Sequence, residues 1–79
     1  MQVLLQEWMT EEGHQTSISK DQAHLDETIA ELAQDERGKP EGGSMTVEIP
    51  DDHGLAEMVE KHTVFLCEDE FDIIEYPDL

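Results

Sequence analysis

Four histidines, one cysteine and twenty-one carboxylic acids are the groups here that could move a proton, attack a carbonyl or hold a metal. Their spacing does not assemble them. His14, His24, His53 and His62 fall in neither His-x-x-x-His nor Cys-x-x-Cys spacing, so a structural zinc site has no pattern behind it. His53 beside Asp51 and Asp52, or His62 near Cys67, is adjacency in sequence without the geometry that an acid-base or nucleophile pair requires. Histidines at the surface or at helix ends are the simpler expectation. Paired carboxylates are too abundant to single out glycosidase chemistry. Glu68-Asp69-Glu70-Phe71-Asp72 lacks the central glycine and distal glutamate of an EF-hand loop, and Gly42-Gly43 lacks the spacing of a phosphate cradle. No catalytic residue, metal site or cofactor is therefore expected.

The elements that would position these groups are fewer and clearer. From about Lys20 to Glu36 the sequence predicts a helix, with Ser19 as N-cap, Gln22 completing a capping box, and Gly38 and Pro40 as stop signals. Leu25, Ile29 and Leu32 form its apolar side. Glu27, Glu31 and Asp35 recur every fourth residue on roughly the opposite side, one carboxylate every ~6 Å along an exposed face. Lys39 to Ser44 reads as a loop, Met45 to Ile49 as a strand ended by Pro50, and Asp51 or Asp52 as the cap of a short helix through about Lys61. That helix buries Leu55, Met58 and Val59 and pairs Glu57 with Lys61. Thr63 to Cys67 and Phe71 to Tyr76 then read as a hairpin across Glu68-Asp69-Glu70, with Cys67 a buried small hydrophobe.

The N-terminus satisfies two patterns. Leu4, Leu5, Trp8 and Met9 share a helical face with Gly13 as C-cap; Val3 to Met9 and Gln15 to Ile18 also fit a hairpin across Glu11-Glu12-Gly13. The helix is preferred here, and Trp8 is a core anchor in either case. The fold expected from the whole pattern is α+β: one domain over residues 1–79, with a small antiparallel sheet of about three strands and two or three helices packed against it.

Charge is the dominant compositional fact. Against 21 acids stand four Lys plus Arg, a formal net charge of −17. Residues 1–40 hold nine acids and three bases, whereas the remainder holds twelve acids and Lys61 alone. Self-repulsion of this size works against compaction, yet the apolar periodicity above is that of a folded chain. Direct nucleic-acid binding is opposed by sign, because affinity for phosphates comes from Lys and Arg. Mutual repulsion among Glu68, Asp69, Glu70 and Asp72 costs stability unless a cation or basic partner offsets it, and a merely solvated acidic loop fits the same run equally well. The expected protein is cytoplasmic, with no membrane-spanning stretch and no basic region of a secretory signal.

In length, charge, lack of catalytic motifs and α+β pattern, the chain resembles the small acidic proteins of phages and mobile elements that block host defence. These include DNA-mimicking anti-CRISPR proteins and restriction inhibitors. The resemblance spans the whole chain and contains no specific motif. It implies a non-enzymatic inhibitor, acting as a monomer in the host cytoplasm, that binds a basic nucleic-acid-binding protein such as a CRISPR effector complex and competes with its target DNA. Glu27, Glu31 and Asp35, with Glu68, Asp69, Glu70 and Asp72, are the candidate partner-binding residues. Two other classes share the composition: a halophilic housekeeping domain with a generally acidic surface, and an antitoxin or adaptor that binds a basic protein without imitating DNA.

Overall fold

The most buried strand lies in the middle of the sheet and starts at the second residue. A computed structural model describes residues 1–76, with the elements β1 (Gln2–Thr10), β2 (Gly13–Ser19), α1 (Gln22–Gln34), β3 (Gly38–Glu48), α2 (Gly54–Lys61), β4 (Val64–Phe65) and a 3₁₀ helix (Glu68–Ile73). The four strands form one antiparallel sheet in the order β3-β1-β2-β4, an α+β fold with one strand more than expected. Among the described residues no helix is long and apolar enough to cross a membrane.

The preferred N-terminal helix is replaced by the hairpin. Thr10 and Gly13 close a two-residue turn over Glu11-Glu12, where Thr10 Oγ1 donates to Gly13 O at 2.9 Å and Gly13 takes a φ of 107° that favours glycine. As the central strand, β1 buries side chains on both faces. Val3 and Leu5 share one face with Ile18 and Val47, and the opposite face carries Trp8, Gln6, Ser17 and Ser19. Trp8 is fully buried, as expected; its ring centroid lies 5.9 Å from that of Phe65.

The Val3 face is covered by α2, through Leu55, Ala56 and Val59, and by the chain from Leu66 to Ile74. The Trp8 face is covered by α1, whose Leu25 is buried there and whose His24 carbonyl accepts from Thr63 Oγ1, itself bonded to Ser19 Oγ. Helices therefore flank the sheet on both sides.

The residues from Lys39 to Ser44, read as a loop, belong to β3. The register jumps between Leu5 and Glu7, leaving the extra residues of β3 opposite Gln6. Gln6 is buried, and its Nε2 fills the gap by donating to the carbonyls of Glu41 (3.1 Å) and Gly42 (3.2 Å) at the edge of the bulge. Gly42 has a φ of 69° at this bend.

Both helices start later than the sequence indicates. Ser19 is spent as the last residue of β2, so Asp21 caps α1, accepting from the His24 N–H at 3.0 Å. His53 caps α2, its Nδ1 accepting from the Leu55 N–H at 3.1 Å. The C-terminal hairpin does not form. Val64 and Phe65 pair with Ile18 and Ser17, while Glu68–Ile73 coils into the 3₁₀ helix. The chain from Leu66, whose N–H bonds Thr16 O, to Glu75, which pairs with Glu48, crosses the Val3 face from the β2 edge to the β3 edge. Cys67 lies exposed on this crossing strap, not in the core.

Candidate functional site

Acidic side chains cover the molecule: every described Asp and Glu is exposed except Glu70, which is half-buried. The two candidate groups lie on opposite sides of the sheet, because α1 packs on the Trp8 face and the strap on the Val3 face. They do not form one surface.

On α1, Glu27, Glu31 and Asp35 are all exposed, as the helical spacing requires. Their surroundings are mixed in sign. Asp35 is the C-cap and pairs with Arg37 (Nη2 to Oδ2, 3.1 Å). Glu27 and Glu31 line a cleft of about 340 Å³ whose other walls include Arg37, Lys61, His62 and Phe65. At the start of the helix His24 contacts Asp21 twice, through its backbone N–H and through Nδ1 at 2.8 Å, and these bonds hold the Asp21 carboxyl below the usual carboxylate range.

The strap differs. Glu68, Asp69 and Glu70 occupy the first turn of the 3₁₀ helix, where unpaired N–H groups favour negative charge. This accounts for three adjacent carboxylates without a glycine, a sequence unsuited to a hairpin turn. Glu70 Oε1 accepts the Cys67 backbone N–H at 2.8 Å. The hydrogen bond to Glu70, with the charge of that carboxylate, pushes the Cys67 thiol above its ordinary range, which makes it a poor nucleophile. Among the described residues Glu68, Asp69, Glu70 and Asp72 have no ion-pair partner; Lys20 is held by Glu60 at 3.3 Å and Arg37 by Asp35.

The remaining chemistry-bearing groups have structural positions. His53 and His62 cap the two ends of α2, and His14 pairs with Glu41 at 3.1 Å. Among the described residues no group of three or more His, Cys, Asp or Glu is arranged to hold a metal ion. The convergence of Arg37 with Lys61 and His62 beside α1 was not legible in the sequence, since Arg37 follows α1 whereas the adjacent Lys61 and His62 end α2, and no local spacing joins the two places.

No family model matches the chain, and neither a curated protein nor a solved structure matches it.

Proposed function

We propose that the protein is a non-catalytic inhibitor whose carboxylates take the place of DNA phosphates on a basic nucleic-acid-binding protein, in the manner of an anti-CRISPR protein. The observation that carries this reading is charge per length. A net charge of −17 is spread over a body 33 Å long and 23 × 22 Å across, about one charge per 2 Å against ~1.7 Å for duplex DNA. The long axis matches one turn of the duplex, about 34 Å.

Acidic groups on opposite sides of one sheet suit a partner that encloses a duplex, where both DNA backbones meet protein, better than one that presents a flat basic patch. The strap, with no counter-charge of its own, offers a partner's Arg and Lys the most. Long-range attraction makes association fast and salt-sensitive.

Low-salt capture on the immobilised protein, followed by measurement of duplex binding by what is captured, tests the proposal. A nucleic-acid-binding protein that no longer binds duplex is expected. Reversing Glu68, Asp69 and Glu70 to Lys should weaken capture more than reversing Glu11 and Glu12. Captured proteins that bind duplex undiminished would overturn the proposal.

A further inference from the structure

The strap over the Val3 face, residues 66–75, is hydrogen-bonded to the rest of the chain only at its two ends. At one end the Leu66 N–H donates to Thr16 O at 2.8 Å, continuing the pairing of β4; at the other, Glu48 and Glu75 exchange main-chain bonds of 2.9 and 2.8 Å. The bonds between are internal to the strap, from the Glu70 N–H to Cys67 O, from the Ile74 N–H to Phe71 O and from the Cys67 N–H to Glu70 Oε1. Among the described residues no side-chain hydrogen bond and no ion pair joins the strap to the other elements. Apolar packing holds its middle: Ile74 is buried, and Leu66, Phe71 and Ile73 are partly so.

The two ends are unequal. The Leu66 end extends a strand pair whose Val64 is buried, whereas the Glu75 end is a single bridge in which two exposed glutamates stand directly opposite each other, an arrangement that destabilises a strand pair. The Met1 ammonium is attracted by Glu48 but is bonded to Asp51 and to Ile49 O. Packing beside the bridge is incomplete: a cleft of about 230 Å³ lies among Glu48, Ile49, Pro50, Ile73 and Glu75.

Charge acts on this weaker end over a distance that salt sets. The strap carries five acids, Glu68, Asp69, Glu70, Asp72 and Glu75, and no base, which leaves −12 of the −17 on the rest of the chain. At about 0.01 M salt the screening length is roughly 30 Å, so a body 33 Å long repels the strap as a whole; near 0.15 M it is roughly 8 Å, and only neighbouring groups count.

We propose that the strap is a salt-gated latch: in dilute solution its Glu75 end lifts off Glu48 and swings about the Leu66 end, and screening closes it again. Opening uncovers Ile74 and the edge of the Val3 face beneath it while the rest of the sheet and both α-helices stay folded, a local opening and not unfolding. The device rests on the charges of this chain and holds whatever the partner is.

Amide hydrogen exchange of the full ¹⁵N-labelled chain, at about 0.01 and 0.15 M salt and one pH, tests the latch. The Glu48 and Glu75 amides should exchange about tenfold faster at the lower concentration, with the Leu66 and β1 amides changing less than about threefold. Screening alone acts in the opposite direction, since it lets hydroxide approach an acidic segment and so speeds exchange. Glu75→Lys, which puts a cation opposite Glu48, should remove the salt dependence at the Glu48 amide. Glu27→Lys, an equal change of charge on α1 across the sheet, should leave about half of it or more. Equal exchange of the Glu48 and Glu75 amides at the two concentrations, equal effects of the two substitutions, or a parallel loss of protection in β1 would overturn the proposal.

Discussion

The indole Nε1 of Trp8 donates to Ser17 Oγ at 2.8 Å, and both residues are completely buried. This bond joins the two central strands on the face that α1 covers, and it explains how a polar serine lies beneath a tryptophan. Ser17→Ala leaves a buried N–H without a partner and should cost about 1–3 kcal/mol. Trp8→Phe should cost about as much, and the double variant less than the two together. Urea unfolding of the four proteins checks this; strict additivity would show that the two residues do not act as a pair.

Two backbone sites with left-handed conformation make opposite predictions. Gly42 at the β3 bulge has a φ of 69°, so Gly42→Ala should lose about 1 kcal/mol, whereas the same change at Gly43, where an added Cβ meets nothing within 4 Å, should be less damaging. Glu36, which follows the C-cap of α1, has a φ of 55° although it is not glycine. Glu36→Gly should therefore raise stability by about 0.5–1 kcal/mol. Thermal melts of the three variants decide the signs.

These positions show where the sequence is readable and where it is not. α1 was legible because Leu25, Ile29 and Leu32 sit on a helical period around one buried face. Its ends were not, because tertiary structure uses Ser19 as a strand residue bonded to Thr63. β1 mimics a helix because a central strand is apolar on both faces, and Leu4, Leu5, Trp8 and Met9 satisfy either period. Lys39 to Ser44 looks like a loop because an edge strand with almost no buried side chain has no apolar alternation to display. Val64 and Phe65 pair with residues more than forty positions earlier, a partnership no local pattern encodes. The acids of the candidate site other than the half-buried Glu70 were legible as exposed; the sheet face each would occupy was not.

The Cys67 thiol is expected to alkylate slowly near neutral pH although it is exposed, because its bond to Glu70 and that residue's charge favour the protonated form. In Glu70→Gln the midpoint of the pH-rate profile with iodoacetamide should move down. An unchanged midpoint would mean that Glu70 does not control the thiol.

Asp21 supplies a pH signature. Its folded-state pKa is lowered, so it contributes stability above its unfolded value of 3.8 that is lost as pH falls through the lower folded value. The stability difference between the parent protein and Asp21→Asn should be full at pH 6 and shrink only below about pH 4. A difference that does not vary with pH would contradict the assigned role of the charge.

Salt distinguishes a phosphate mimic from a halophilic domain. The urea midpoint should rise between 0.01 and about 0.15 M salt as repulsion is screened over roughly 8 Å, with the protein already folded at the lower concentration. Loss of the folded spectrum in dilute buffer would favour the halophile alternative.

The most direct measurement is displacement of a labelled duplex of about ten base pairs, one helical turn, from a nucleic-acid-binding protein that the acidic chain captures. Complete displacement is expected, with the required concentration rising as salt is added. A ternary complex in which the duplex stays bound at saturating acidic protein would contradict the account.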